Sequence, residues 1–134
     1  MIDCESMIFT PIAMALRSEF DGIFVTGDYV PMPASFPTVS IVEMDNVPDV
    51  GTQDSGSLEN HAILMYQVDV YSNKATGGKT ECKVIAAAVD SQFAALGFTR
   101  SYKRPVPNMD DATIYRIVAR YRAVVGKDFI IYRR

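Results

Sequence analysis

At 134 residues with 49% apolar content, the chain is long enough for one sizeable core and too short for two ordinary domains. No apolar run approaches the roughly 20 residues of a membrane-spanning helix, and Cys4 and Cys82 have no metal-site spacing. The net charge of −3 is unevenly spread: four bases face thirteen acids in residues 1–99, and nine bases face three acids in 100–134. Such a split suits an acidic surface meeting a basic one, within one molecule or between copies. The start, MIDCESMIF, carries acids where a secretory signal needs bases, so no targeting segment and a reducing cytoplasm are expected.

In chain order, Ile8, Ile12, Leu16 and Phe20 recur every four residues, a helical stripe. Thr10 as N-cap with Pro11 at the first helical position is the cheapest start, since a helix from near Glu5 would carry proline inside it. Asp21-Gly22 ends it. Residues 23–26 read as a short strand, 27–35 as an extended connector with two prolines, and 36–46 as a strand rich in β-branched residues. Residues 47–58 are polar and rich in Gly and Ser, which predicts a long mobile loop between antiparallel strands. Asp49, Thr52, Gln53 and Asp54 are its candidate docking residues.

The next stretch organises the rest. Ala62, Leu64, Tyr66, Val68 and Val70 alternate with Ile63, Met65, Gln67, Asp69 and Tyr71, the pattern of a strand with one buried face. Cys82, Ile85, Ala86, Val89, Phe93 and Leu96 then form one stripe on a helix over 79–96. Gly97 suits a left-handed C-cap, with Phe98 folding back on the last turn. A strand over 99–104, a proline-bearing turn over 105–111 and a long strand over 112–125 follow. Gly126-Lys127 suits a primed hairpin turn into a closing strand over 129–134. The order α-β-β-β-α-β-β-β predicts an α+β fold, two helices packed on a mostly antiparallel sheet.

Few residues carry chemistry. Gly78-Lys79-Thr80 sits between strand and helix like a phosphate loop, but Asn73 stands where that pattern needs glycine. A tight turn and helix start is the reading, and a small nucleotide-binding module using residues 73–80 the alternative. His61, the single histidine, reads as an exposed polar residue at a loop mouth. Glu43, Asp45 and Asp69 can approach one another on the sheet. Without a ligand-loop pattern for a cation, they are expected to pair with arginines. Arg116, Arg120 and Arg122 share one strand face. With those three acids they form the candidate subunit interface; intrachain pairing and nucleic-acid contact are the alternatives. Nucleic acid is disfavoured because no recognition helix is present, and Tyr115 and Tyr121 fall on the other face, offering no stacking platform. No catalytic residue, cofactor or metal is expected.

FPTVSIVEMDN, MYQVDVYSNKATGGKTECK, LGFTR, DATIYRIVARYRAVV and IYRR together resemble small phage proteins of the tail terminator (tail completion) group. The resemblance covers most of the chain from Phe36 onward and rests on overall pattern. It implies a non-enzymatic ring, typically a hexamer, that caps the tail tube and offers a surface to the head–tail connector. The implied partners are further copies of the chain, the major tail tube protein and the connector protein. DNA would pass through the lumen without sequence-specific contact, and no membrane is involved. The implied place is the virion tail or neck, assembled in the host cytoplasm. A head-side joining protein of similar fold is the alternative.

Overall fold

The computed structural model describes residues 1–49, 61–107 and 111–132. The element order is α1 (Glu5–Glu19), β1 (Phe24–Thr26), β2 (Thr38–Pro48), β3 (His61–Ser72), α2 (Gly78–Leu96), β4 (Thr99–Pro105), β5 (Tyr115–Gly126) and β6 (Ile131–Tyr132). This is the α+β order that the patterning predicts. The strands form one sheet in the order β1-β2-β3-β5-β4, with β6 also pairing β5. Among the described residues only the β1–β2 pair is parallel.

The alternation in β3 is realised in full. Ala62, Leu64, Tyr66, Val68 and Val70 are each at most 1% exposed and face the helices. β5 lies antiparallel to β3 and adds Ile117, Ala119, Tyr121, Ala123 and Val125 to the same face. Onto it α2 lowers Cys82, Ile85, Ala86, Val89 and Phe93. Phe93 stacks on Tyr121 with ring centres 4.2 Å apart and meets Phe98 edge-on at 5.2 Å. Phe98 can do this because Gly97 takes φ 100°, a left-handed C-cap that turns the chain back. Tyr121 Oη donates to Asp90 Oδ1 at 3.0 Å, so the buried phenol has its partner.

Three local readings need correction. Helix α1 begins at Glu5 and carries Pro11 inside it, rather than starting at a Thr10 cap. Ile8 and Ile12 are wholly buried, Ala13 nearly so, and Asn46 Nδ2 donates to Ile2 O at 2.7 Å. Burying Ile8, worth roughly 1.5–3 kcal/mol, offsets most of a proline penalty of about 3 kcal/mol. The β5–β6 turn is longer than a two-residue primed turn. Gly126 N–H donates to Ile130 O and Phe129 N–H to Gly126 O, and the positive φ falls on Phe129 at 63°. Among the described residues β6 spans two, Ile131 and Tyr132. Finally, β2 runs to Pro48, two residues beyond its predicted end, because Val47 and Pro48 pair with Ile63 and Ala62.

Both helices lie on one face, so what covers the other face matters. Residues 27–37 connect the parallel strands β1 and β2 and cross the outer face as a strap. Ser40 Oγ donates to Asp28 O and Tyr71 Oη to Val30 O, each at 2.9 Å, and Thr38 Oγ1 donates to Ser35 O. The strap buries the Tyr71 end of that face. Among the described residues the Met65 end carries no helix.

Candidate functional site

The register sets out the outer face as a grid. Across β2, β3, β5 and β4 the rows read Ser40, Asp69, Val118, Arg104; then Val42, Gln67, Arg120, Tyr102; then Asp45, Met65, Arg122, Thr99. Arg116, opposite Tyr71, begins the strap-covered end. The three arginines of β5 therefore do share one face, as the period of two requires.

The acids do not gather there together. β2 has a bulge between Glu43 and Asp45, and the extra residue, Met44, flips the strand. Glu43 falls on the helix side opposite Tyr66, while Asp45 and Asp69 remain on the outer face. Asp45 and Asp69 are separated along the strands by about four residues, or roughly 13 Å. The expected approach of Glu43, Asp45 and Asp69 is thus overturned, and with it a cation site built on the three together. Among the described residues no three His, Cys, Asp or Glu side chains are placed to hold a metal ion.

Each arginine has a different setting. Arg116 Nη2 meets Asp69 Oδ2 at 3.3 Å and lies over the Tyr71 ring, and its Nε is buried without a partner among the described residues. Asp69 is only 2% exposed. Burial pushes its carboxyl above the ordinary range, and Arg116, Gln67 and Tyr71 only partly oppose the rise. Arg116 therefore pairs within the chain, the alternative weighed against an interface. Arg120 Nε donates to Gln67 Oε1 at 3.0 Å. Arg120 and Arg104 both sit over the Tyr102 ring, at 5.5 and 5.0 Å. That ring is a platform the sequence reading missed, because it looked for aromatics on the arginines' own strand. The alternation in TRSYKR, with Tyr102 and Arg104 two apart, was the signal. Arg122 is exposed. Neither Arg120, Arg122 nor Arg104 has a carboxylate partner among the described residues. Beside Arg116 lies a concavity of about 400 Å³ lined by Tyr29, Val42, Met44, Gln67, Asp69 and Arg116.

The remaining candidates are structural. Gly77 caps α2 at φ 85° in a left-handed turn, and β3, which leads into it, is antiparallel to both neighbours. The hollow there is lined by Glu19, Asp21 and Glu81 as well as Lys74, an acidic lining that repels phosphate. Burial pushes Glu81 up, yet hydrogen bonds from Ser72 and Lys74 outweigh it and hold the carboxyl below its ordinary range. His61 is half-buried rather than exposed, its ring edge-on to Tyr132 at 5.5 Å. Burial pushes the Cys82 thiol up to about 12 and the Cys4 thiol to about 11, as expected of packed, unreactive cysteines. Asp49 N–H donates to His61 O at 2.8 Å, extending the β2–β3 ladder. Thr52, Gln53 and Asp54, the other docking residues, lie outside the described residues, as do Arg133 and Arg134.

Glu43 supplies a pH-dependent prediction. Burial, then the charges of Glu5 and Asp3, raise its carboxyl above the ordinary value of 4.5. A raised folded-state value means that the folded chain binds more protons than the unfolded one. Stability is then fully present at low pH and is lost as pH rises through the folded value. Glu43→Gln should remove that loss. Its melting temperature is expected to exceed wild type at pH 8, with the gap closing toward pH 4.5. Thermal melts across that range check this, and a Gln variant less stable at pH 8 contradicts it.

The profile of the family described as "Tail completion protein gp17" matches residues 13–126. The chain belongs to the tail completion protein gp17 family. It is thereby a structural protein of a phage tail. Among solved structures, a chain of a particle described as "Virion of native gene transfer agent (GTA) particle" matches with TM-score 0.64 at 18% identity. The match covers 90% of this chain and 93% of that one, and at this identity it speaks for the fold alone. No curated protein matches. The matched family segment runs from α1 to the end of β5 and so contains the whole arginine grid. The chemistry on this tail completion protein's open face is that of charged and aromatic recognition.

Proposed function

We propose that this family member is a ring-forming tail terminator. Copies of the chain close into a ring, a hexamer, that caps the tail tube, ends tube polymerisation and presents its other side to the head–tail connector protein. The major tail tube protein is the partner on the first side, and DNA passes through the lumen without sequence-specific contact. Assembly takes place in the host cytoplasm, and the ring remains in the virion.

The observation that carries this reading is the two-sidedness of the sheet in a tail completion protein. One face is closed by helices. The other, among the described residues, is left half bare: Arg104 and Arg120 are held by tyrosine and glutamine rather than by carboxylates, and Arg122 is exposed. A head-to-tail ring needs two different complementary patches on each subunit, and a solitary monomer has no use for a bare cationic sheet face. Particle mass by light scattering together with negative-stain images tests the proposal. Closed rings of uniform mass are expected from the purified chain, or on adding tail tubes. A chain that stays monomeric at high concentration, and also with tubes present, overturns it.

A further inference from the structure

The ring reading requires an acidic patch to receive the arginines, and it does not say where on the subunit that patch lies. The β2 bulge brings Asp45 to the arginine face and leaves Glu43, which alternates with Val39 and Ile41, on the helix side. There the start of α1 brings up Asp3 and Glu5, held in place by the bond from Asn46 Nδ2 to Ile2 O. The carboxylates feel one another: after burial, Glu5 and Asp3 are the groups that most disfavour charge on Glu43. No lysine or arginine among the described residues pairs with Asp3, Glu5 or Glu43.

Part of this cluster has a local explanation. Asp3 Oδ1 accepts from Glu5 N–H at 3.2 Å, and acids at a helix N-terminus complement the helix dipole. Glu43 is not at a helix end, and that account does not reach it. Among the described residues its Oε1 is buried without a close donor, since Tyr66 and Asn46 only weakly hydrogen-bond the carboxylate, and Tyr66 Oη, wholly buried, faces the same place and also lacks a full hydrogen bond. Tyr66 feels Glu43 first among nearby charges. A buried acceptor without a full hydrogen bond is costly, and three acids with no lysine or arginine paired with them among the described residues leave the site short of a cation. A guanidinium supplies the charge and the N–H donors, in a fixed planar fork that matches a carboxylate.

The missing group is on the same chain but across the sheet. Arg120 and Arg122 stand on the bare face, and Glu43 lies on the opposite one. A single subunit cannot bring them together, whereas a second copy placed head-to-tail can. We propose that the Asp3–Glu5–Glu43 site, with Tyr66 at its base, receives Arg120 and Arg122 of a second copy of this chain. This rests on the ring reading and specifies its subunit contact. It replaces the pairing with Asp45 and Asp69 suggested by the sequence, since Asp69 is already taken by Arg116.

Charge exchange tests the contact, using the full chain in wild-type form and as Arg120→Glu, as Glu5→Arg and as the double variant. Melting curves establish that each is folded. If Arg120→Glu does not fold, Arg122→Glu, at an exposed position, replaces it in every arm. Each single variant is expected to need about thirty-fold more protein, or greater, to assemble, as when one partner of an interfacial charge pair is lost. The double variant should regain rings, and so should an equimolar mixture of the two single variants. In an alternating ring every contact of that mixture again joins opposite charges. If wild type forms rings and both single variants do so at the same concentration, the contact is overturned while the ring reading stands. If the single variants lose rings and neither the double variant nor the mixture restores them, the two patches do not meet, and the contact is again overturned. If wild type itself forms no ring, the ring reading fails and the contact falls with it.

Discussion

Phe93→Ala is expected to remove roughly 3–5 kcal/mol of stability, a large share of the about 5–15 kcal/mol of a small domain. Phe93 is 0% exposed and touches every layer of the core. It stacks on Tyr121 of β5, meets Phe98 beyond the Gly97 cap, and lies 6.1 Å from Tyr66 of β3. Its removal leaves a cavity between α2 and the two central strands, walled by aromatic rings too rigid to collapse into it. Such rings also lose paired-ring contacts worth about 0.5–1.5 kcal/mol each beyond their burial. Thermal and urea denaturation should show a melting temperature lowered by more than about 10 °C. A shift of only a degree or two would mean that α2 does not pack on this sheet face.

Arg116→Ala is the second large effect, and it acts through the residue left behind. Asp69 is 2% exposed and would keep only Gln67 and Tyr71 as partners. Breaking a buried ion pair from one side typically costs about 3–5 kcal/mol. Asp69 can escape part of that cost by taking a proton. Its carboxyl already lies above the ordinary range through burial, and losing Arg116 removes the strongest influence opposing that rise. The sign follows from linkage: a group raised on folding contributes stability at low pH and loses it as pH rises through its folded value. The variant should therefore be near wild type in acid and fall increasingly below it toward pH 8. Asp69→Asn added to Arg116→Ala should recover most of the loss at pH 8 by removing the stranded charge. A single variant with unchanged stability at both ends of this range would show that the pair is solvated and unimportant to folding.

Much of the architecture was legible because periodicity reports which face is buried. Ala62 to Val70 at a spacing of two, and Cys82 to Phe93 at three and four, can bury their apolar sides in only one kind of element each. Gly97 was legible for a similar reason, since a left-handed cap is cheapest in glycine. Pro11 was misread because a local rule about helix starts met a tertiary gain, the burial of Ile8, that no local rule contains. The turn after β5 was misread because the positive φ fell on Phe129, a residue with no preference for it.

The chain's own sequence determined the α+β order, the buried stripe of each long element, and the sharing of one face by Arg116, Arg120 and Arg122. These depend on side-chain spacing along a single element, which is written in the sequence directly. Only the tertiary structure decided which acid each arginine can reach. One unpaired residue at Met44 puts Asp45 on the arginine face while Glu43 stays on the helix side with Val39 and Ile41. The strap over Tyr71 buries Asp69 beside an arginine 47 positions away, and Tyr102 arrives from a separate strand to hold Arg120. Charge pairing across a sheet depends on register between strands distant in sequence, and a shift of one residue reverses the face of every side chain beyond it.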